Sequence, residues 1–574
     1  MTQFGFFLLS VSLIFESLFY FAIVVLGLII WSFINDKKYQ KNLKKHLERE
    51  WASYPEEDYN ADKMKSIKSF YLTEKDQYLD VDDITWNDLD MDEIYKLMNN
   101  TQSSLGEEYL YALLRKPCFS SEELEERNRL IEFFQSNKEE RLQVQIKLNK
   151  VGKLRKISVF DYINKLGEQK PESNIPHYLM ALGLLLSLGY VFINPGIGVG
   201  LSLFFMVFNI ISYYRYKAKI DNFLLIIAFQ LRLLDCIDDL AKISIPSLEP
   251  YVKLLSEDLK KFKKFRRGSY IVVARNVSGN LLEALLDYYR MIFHHDLIKY
   301  NIMLSFFKKN KDIMKRIFKT VGFIDSMIAA ASFRDMVEYY SLPQLSHTKA
   351  NPKLSVSEVY HPLINNPVAN SITEDRCTLL TGSNASGKST FIKSIAINAI
   401  LSQTIYTSLS KEYKANYFTV YSSMALKDNI LSNESYFIVE IKSLKRILDK
   451  SKGDYPILCF VDEVLRGTNT LERIAASSRI LATLAKENAL CFAATHDIEL
   501  TYILENYYSN YHFREKVEGN QVLFDYKLYK GRAVSKNAIK LLNLLGYSKD
   551  IIIEAENAAD QYMKTGEWSI ISDN

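Results

Sequence analysis

The spacing of apolar residues changes along this chain and divides it near residue 350. Before that point, apolar residues mostly recur every three or four positions, which predicts helices. From about Val359, short β-like runs alternate with helical stretches, which is typical of an α/β domain. The turn-forming stretches Asn351-Pro352 and Asn365–Pro367 mark the transition. We therefore expect an all-α region followed by an α/β domain over residues 351–574.

Two stretches of the helical region are too apolar for ordinary amphipathic helices. Gly5 to Ile34 is almost continuously apolar and is followed closely by lysines, which predicts a retained membrane anchor with its N-terminus outside. A second apolar block, residues 177–214, divides at Asn194-Pro195-Gly196 into two halves, which predicts a membrane hairpin. Two buried core helices of a soluble domain are the alternative for this second block.

These patterns predict about three membrane segments and a protein of the cell (inner) membrane, with its C-terminal domain in the cytoplasm. The predicted order is a transmembrane anchor (1–34), a cytoplasmic linker (35–87), a first helical core and lever part (88–176), a transmembrane hairpin (177–214), a second helical lever part (215–350) and the α/β domain (351–574).

Composition adds little to this picture. The net charge of +4 over 574 residues is too small to indicate a partner. Five cysteines are scattered without C-x-x-C spacing, which is typical of reduced thiols and argues against a disulfide framework or a zinc site. The stretch Lys260–Arg267 interleaves basic residues with phenylalanines. Such a stretch binds a nucleic-acid backbone or anionic lipid, or it is simply a solvated helix face.

The clearest chemistry lies in residues 382–389, which read Gly-Ser-Asn-Ala-Ser-Gly-Lys-Ser, a G-x-x-x-x-G-K-[ST] motif. An apolar run precedes it and an apolar helical stretch follows, which is the strand–loop–helix order that the motif requires. The N–H groups of such a loop hold phosphate oxygens, Lys388 reaches the β- and γ-phosphates, and the Ser389 hydroxyl binds Mg²⁺. The predicted nucleotide-binding residues are Gly382, Ser383, Asn384, Ala385, Ser386, Gly387, Lys388, Ser389 and Thr390.

Two later apolar runs of strand length end in candidate catalytic residues. The first, Pro456–Val461, ends in Asp462, which is placed to hold Mg²⁺ through water, and Glu463, which is placed to polarise the attacking water as general base. The second, Ala489–Thr495, ends at His496, which is placed to contact the γ-phosphate or that water. The predicted catalytic residues are Glu463, His496 and Lys388, and the predicted metal ligands are Ser389 and Asp462.

Together these motifs resemble the ATPase domain of the MutS family. Residues 381–390 read TGSNASGKST, 462–470 read DEVLRGTNT and 494–500 read ATHDIEL. The corresponding family patterns are TGPNxxGKST, DExxRGTST and ATHxxEL. Leu431–Glu440 looks like the family's signature segment, and Asn99–Pro117 is similar to the start of its core and lever domain.

The resemblance implies an ABC-type P-loop ATPase domain with ATP and Mg²⁺ as cofactors. It also implies a dimer in which each nucleotide lies between one P-loop and Ser435 of the partner subunit, and in which ATP binding swings helical levers that clamp DNA. Tyr526 falls near an aromatic position that flanks the adenine in this family, whereas Val368 occupies the other such position.

The chain also departs from the family pattern. It shows no N-terminal mismatch-reading domain and no Phe-x-Glu wedge motif of the sort that inserts into the duplex, and the apolar block interrupts the lever region. The signature segment carries Asn433-Glu434 and Tyr436 where Gly and Thr are usual. We therefore expect a membrane-anchored, homodimeric MutS-like ATPase that couples hydrolysis to the binding of double-stranded or branched DNA. An ABC-type transporter ATPase and a nucleotide-switched membrane scaffold without DNA are the alternatives.

Overall fold

The chain folds into two compact units in the computed structural model. The described residues are 27, 30–31, 33–76, 78–154, 156–168, 170–266, 281–347, 352–383, 386–424, 436–465, 468–518, 521–533, 539, 546–568 and 570–571. The first unit comprises residues 1–73, 98–110 and 130–336, and the second comprises 74–97, 111–129 and 337–574. Most of the predicted anchor over residues 1–34 lies outside the described residues.

All regular secondary structure in the described residues up to Met336 is α-helical, apart from a 3₁₀ turn at Pro246–Leu248. In chain order the helices are α1 (residues 33–50), α2 (Ala61–Thr73), α3 (Asp83–Asp88), α4 (Met91–Met98), α5 (Ser104–Arg115), α6 (Ser121–Ser136), α7 (Lys138–Val151), α8 (Val159–Glu168), α9 (Ile175–Tyr190), α10 (Pro195–Leu240), α11 (Glu249–Lys261), α12 (Lys263–Arg266), α13 (Leu281–Phe293), α14 (His295–Lys309) and α15 (Lys311–Met336).

Helix α15 forms the centre of the first unit and is buried along most of its length. Its Asp325 accepts hydrogen bonds from the backbone N–H groups of Gln102 (3.0 Å) and Ser103 (2.9 Å) and from the Ser103 hydroxyl (2.6 Å). These donors lie at the start of α5, where N–H groups have no partner within the helix. Gly106 is required there, because a Cβ atom would lie 2.3 Å from Asp325 Oδ2. One carboxylate thus fixes the N-terminus of α5.

The predicted hairpin consists of α9 and α10, joined at residues 191–194. Asn194 begins α10 as its N-cap, with its side chain accepting from the N–H of Ile197 (3.3 Å), and Pro195 follows in the first turn. Helix α10 does not end at the predicted boundary of residue 214 but continues to Leu240. The residues after 214 become charged without containing a helix breaker, so polarity changes while the helix continues.

Part of this hairpin is long and apolar enough to cross a membrane. Residues Pro195–Ile220 have a mean hydropathy of 1.8, and only 22% of that stretch's apolar window is buried within the fold. They are the only such span among the described residues, since Ile175–Tyr190 is apolar but shorter. A crossing of the bilayer by these helices stays a prediction.

The second unit contains two sheets and the helices that cover them. Its strands are β1 (Gln344–Ser346), β2 (Leu354–Val359), β3 (Asn370–Glu374), β4 (Cys377–Thr381), β5 (Glu412–Asn416), β6 (Thr419–Ser423), β7 (Ile457–Asp462), β8 (Ala489–Ala494), β9 (Tyr508–Glu518) and β10 (Gln521–Lys530). Its later helices are α16 (Lys388–Thr404), α17 (Tyr436–Lys450), α18 (Thr470–Leu484), α19 (Ile498–Ile503) and α20 (Lys549–Thr565).

The larger sheet has the strand order β10-β9-β4-β8-β7-β6, in which all neighbours are parallel except β10 and β9. Apolar residues of its central strands pack against α17 and α18 in one core cluster. The smaller sheet has the order β1-β5-β2-β3. Because the central strands are parallel, their carboxyl ends meet at one edge, which is where ligands bind in α/β sheets. The α/β architecture expected after residue 350 is confirmed.

Residues 74–97 and 111–129 are packed with the second unit, although the sequence placed them in the linker and the helical core. The reason lies in polar contacts of α3 with β6. The N–H of Ser422 donates to Thr85 Oγ1 (3.0 Å), and the Ser422 hydroxyl donates to Asp88 (2.6 Å). Further along, the N–H of Cys118 donates to the carbonyl of Gln403 (2.7 Å).

Candidate nucleotide site

The phosphate loop connects the buried strand β4 to helix α16. Both of its glycines adopt positive φ values, 146° at Gly382 and 105° at Gly387, which side chains other than glycine rarely accept. A Cβ atom at Gly382 would also lie 2.8 Å from the carbonyl oxygen of Phe513. The loop therefore turns into the N-terminus of α16 as the motif requires, and α16 begins at Lys388. The predicted residues Asn384 and Ala385 lie outside the described residues.

Lys388 folds back over this loop. Its amine donates to the carbonyl oxygens of Gly382 and Ser383, each at 2.8 Å. Burial lowers the pKa of Lys388, while the nearby charges of Asp462 and Glu463 act in the opposite direction. The amine thus lies where it can donate to phosphate oxygens entering the loop.

Two more loop residues bear on whether a phosphate fits. The Ser386 hydroxyl is buried and makes no hydrogen bond in the part of the chain that the structure describes. The Ser383 hydroxyl donates to the carboxylate of Glu515. A buried hydroxyl without a partner normally costs stability, so the loop fits an oxyanion that would accept from it.

The predicted metal ligands meet at the end of β7. The Ser389 hydroxyl donates to Asp462 Oδ2 at 2.5 Å, on the exposed side of the sheet edge. A hydroxyl and a carboxylate are the hard oxygen ligands that Mg²⁺ prefers, and Mg²⁺ keeps several waters and phosphate oxygens as further ligands. Ser389 and Asp462 therefore fit Mg²⁺ carried with a nucleotide. No larger cluster of His, Cys and carboxylate side chains occurs among the described residues.

Glu463 and His496 lie beside this pair and contact each other. The ring Nε2 of His496 is 2.8 Å from Glu463 Oε1, and it donates because an ionised carboxylate only accepts. The parallel pairing of Asp462 with Ala494 explains why residues 33 positions apart meet at one edge. Glu463 has a φ of 55°, and its N–H donates to the carbonyl of Ala494 (3.0 Å). This backbone turn separates the Glu463 carboxylate from that of Asp462.

A cavity of about 370 Å³ adjoins the phosphate loop at Gly387. Val368 and Tyr526, the two positions that the resemblance associates with the adenine, both line it. Asn370 holds the two segments together, since its amide donates to the carbonyl of Tyr526 (2.9 Å) and its Oδ1 accepts from the N–H of Leu528 (2.8 Å). The cavity has the position and the partly apolar lining that a base needs beside its phosphates.

Sequence reasoning missed most of the residues that line this cavity, among them Asn370 and His361. Neither stands at a motif spacing, and they become neighbours of Gly387 only through the fold. Burial, with a further contribution from Lys393, lowers the pKa of His361 to about 4, so the ring is neutral at pH 7. Its Nδ1 accepts from the N–H of Leu363 (3.3 Å), which is consistent with a neutral ring.

The signature segment is described only from its C-terminal part. Ser435 lies outside the described residues, as do Arg466 and Gly467 of the loop after Glu463. Glu440, in the first turns of α17, is buried and accepts a hydrogen bond from the N–H of Leu465. The helix that begins within the signature segment is thereby joined to the loop that follows Glu463.

The basic stretch of the first unit has two distinct faces. Phe262 and Phe265 are buried, and their rings pack against Phe306 at 5.5 and 5.7 Å between centroids. Lys260, Lys261 and Lys263 are exposed. The phenylalanines are therefore core residues and do not offer surfaces on which bases could stack, whereas the lysines offer charge alone.

Comparison with known proteins agrees with this geometry. Residues 378–563 match the profile of MutS domain V, which is a P-loop ATPase domain. The chain is 27% identical over 291 residues to DNA mismatch repair protein MSH3 of Debaryomyces hansenii, covering 46% of this chain and 28% of the relative. It is 28% identical over 264 residues to DNA mismatch repair protein MutS of Thermotoga maritima, covering 45% of this chain and 33% of the relative.

A human relative, MutS protein homolog 4, is 28% identical over 291 residues, with 47% of this chain and 30% of the relative covered. The chain thus matches a third or less of the length of these curated relatives. The matched region contains the phosphate loop, the Asp462-Glu463 pair and His496. The chain therefore carries a MutS domain V and is similar to MutS family proteins over that region.

Proposed function

We propose that this protein is a membrane-anchored MutS-like ATPase that hydrolyses Mg·ATP in a homodimer and couples hydrolysis to DNA binding. The observation that carries the ATPase part is the meeting of three groups at one sheet edge. These are the phosphate loop with Lys388, the Ser389–Asp462 pair and the Glu463–His496 pair. Phosphoryl transfer needs phosphate binding, a bound Mg²⁺ and an oriented water, and in this proposal each group supplies one of these.

In this proposal the loop N–H groups and Lys388 hold the phosphates, and Ser389 and Asp462 hold Mg²⁺, which neutralises phosphate charge when bound. The Glu463 carboxylate orients a water and takes its proton as the water attacks. His496 positions Glu463 through their 2.8 Å contact. The cavity beside Gly387 takes the adenine, with Tyr526 along one wall.

The homodimer in this proposal follows from the resemblance of residues 431–440 to the family's signature segment. Ser435 would complete the nucleotide site of the partner subunit, so that ATP joins two copies. Glu440 would connect this dimer contact to the loop that carries Glu463, because its carboxylate accepts from the N–H of Leu465, two residues after Glu463. ATP would then act as a switch that closes the dimer and moves the helical levers.

DNA binding is supported by two of the relatives, which are DNA mismatch repair proteins, and by the exposed lysines of α11 and α12. Since the neighbouring phenylalanines are buried, these lysines would contact phosphates and not bases. Such binding depends steeply on salt, by about 0.9 log unit per phosphate contact for each log unit of salt.

The experiment for this part measures the affinity of the full-length protein for duplex and branched DNA at several salt concentrations, with and without ATP. The test variant replaces Lys260, Lys261, Lys263 and Lys264 with Gln. A control of equal charge change replaces Lys452, Lys486, Lys527 and Lys530. We expect weaker binding and a shallower salt slope in the test variant alone.

Absence of DNA binding at low salt, with no change on adding ATP, would contradict the DNA part and leave the ATPase part in place. If the test variant instead loses binding to anionic vesicles, the basic stretch binds lipid headgroups and not DNA. That result would favour the alternative function without DNA.

A further inference from the structure

A second cavity, of about 190 Å³, opens in the helical unit at the charged end of the apolar hairpin. It is lined by Lys170 and Glu172 from the segment before α9, by His177 in the first turn of α9, and by Tyr216 and Lys219 on α10. Nothing in the nucleotide site or in the family resemblance uses these residues. The cavity combines two ammonium groups, one carboxylate and one buried imidazole.

The imidazole of His177 is buried and is paired with the imidazole of a second histidine. His177 is 2% exposed, and its Nδ1 lies 2.9 Å from Nδ1 of His294. Nε2 of His294 is 2.8 Å from the carbonyl oxygen of Asn209, and a carbonyl only accepts, so this Nε2 carries a proton. Both rings are buried between apolar helices, where a charge is costly, so both are neutral. A neutral His294 then accepts at Nδ1, and the proton between the rings belongs to Nδ1 of His177.

With its proton on Nδ1, the neutral ring of His177 has an acceptor at Nε2. It makes no hydrogen bond with any described residue, and His177 is a wall of the cavity. An acceptor in a cavity wall that has no hydrogen bond to the described protein can accept from a ligand that brings an N–H or O–H donor. An anion alone would not satisfy it.

The remaining walls are suited to a phosphate. Lys170 and Lys219 are exposed at the rim and can reach an anion. Tyr300 on α14 also lines the cavity, and burial together with the charge of Glu172 raises its pKa to about 12, so its hydroxyl keeps its proton. Glu172 adds an acceptor for a positive or hydroxyl-bearing group. The cavity therefore offers donors for a phosphate and acceptors for a neighbouring donor group.

The cavity lies where the exposed apolar surface of the hairpin meets its lysines. Leu179, Leu182 and Leu186 of α9 are exposed next to it along the chain, as is Ile211 of α10. In a bilayer such side chains face acyl chains, and lysines at the helix end lie at the level of the headgroups.

We propose that this cavity binds the headgroup of a phospholipid whose phosphate ester carries an N–H or O–H donor. The inference rests on the membrane part of the proposed function and goes beyond it. Phosphatidylethanolamine and phosphatidylglycerol have such a donor, whereas phosphatidylcholine has none. The site would prefer lipids whose headgroup can donate a hydrogen bond to Nε2 of His177.

The test uses native mass spectrometry of the full-length protein released from phosphatidylcholine nanodiscs that contain a minor fraction of phosphatidylethanolamine or phosphatidylglycerol. We expect the wild-type chain to retain the minor lipid in preference to phosphatidylcholine. Lys219→Met should reduce this retention roughly tenfold, as expected for the loss of one charge-assisted hydrogen bond. Lys217→Met is the matched control, because Lys217 lies on the same helix over the ring of Tyr213 (4.8 Å) and does not line the cavity.

Equal retention by the Lys219 and Lys217 variants would overturn the site, and so would retention of phosphatidylcholine as strong as that of the donor-bearing lipids. A chain that fails to enter nanodiscs would overturn both the site and the membrane part. Retention of soluble glycerophosphoethanolamine in detergent, with no preference among lipids, would assign the cavity to a free metabolite and overturn the lipid. ATP turnover in the same samples should not change with either variant, so failure of the ATPase proposal would be seen separately.

Discussion

At the scale of single residues, two adjacent carboxylates have different partners, which is why the proposal gives them different tasks. Asp462 accepts from the Ser389 hydroxyl at the proposed Mg²⁺ position, whereas Glu463 accepts from His496. The left-handed backbone at Glu463, with its N–H fixed on Ala494, turns the second carboxylate away from the first. A residue held in such a conformation is a mark of functional constraint.

Replacing Glu463 with Gln should leave ATP bound and stop its turnover. The amide keeps the shape of the side chain but cannot take a proton from water, so we expect a fall in kcat of at least about 100-fold, the usual contribution of a general base. ATP binding by filtration and phosphate release by a coupled assay measure the two effects. Lys388→Ala should act in the opposite way and weaken nucleotide binding. An unchanged rate in the Gln variant would remove Glu463 from the general-base role.

His361 provides a pH prediction. Its pKa of about 4 in the folded chain lies below its ordinary value of 6.5, so the unfolded chain binds more protons between these values and stability rises with pH across that window. Relative to His361→Gln, the wild-type chain should lose about 2 kcal/mol of unfolding free energy between pH 7 and pH 5. Denaturant unfolding at both pH values measures this. Equal losses in the two proteins would contradict the buried, neutral ring.

At the scale of elements, helix α3 holds both ends of the segment that carries Ser435. Asp88 accepts from the N–H of Met424 (3.0 Å), just before that segment, and Asp82 accepts from Arg446 (2.6 Å) on α17, just after it. The segment itself lies outside the described residues. Its two described flanks are therefore fixed to one short helix.

Asp88→Ala should lower ATP turnover several-fold while leaving ATP affinity nearly unchanged. The reason is that the N–H of Met424 and the buried hydroxyl of Ser422 would lose their acceptor, at a cost of about 2 kcal/mol. The flank before the segment that carries Ser435 would then no longer be fixed to α3. Steady-state kinetics give kcat and KM separately. Asn87→Ala on the exposed side of the same helix is the control and should change neither. A rise in KM with kcat preserved would place Asp88 in nucleotide binding instead.

The sequence predicted those parts of the site that depend on short spacing. The phosphate loop, Asp462, Glu463 and His496 each follow a strand of the parallel sheet, and parallel strands bring their ends together. Asn370 and His361 could not be predicted, because they reach the cavity only through pairing of distant segments. The predicted hairpin boundary at residue 214 does not coincide with a helix end, since a change from apolar to charged residues alters the environment of a helix without ending it.

At the scale of the whole molecule, the membrane part can be tested by thiol labelling, because all five native cysteines are buried. Phe204 is exposed on α10 within the apolar span, and Lys242 is exposed beyond the end of that helix. In inside-out vesicles, a water-soluble maleimide should label Lys242→Cys and not Phe204→Cys until detergent is added. Equal labelling of both before detergent would show that the hairpin faces water.

The central claim is that two copies of this chain hold Mg·ATP at the sheet edge and cleave it with Glu463. The most direct measurement is sedimentation of the full-length Glu463→Gln protein with labelled ATP, with and without Mg²⁺. We predict a dimer with one ATP per chain when both are present, and a monomer when Lys388→Ala is added to the same protein. A folded Glu463→Gln protein that stays monomeric, or that holds no ATP, would contradict the account.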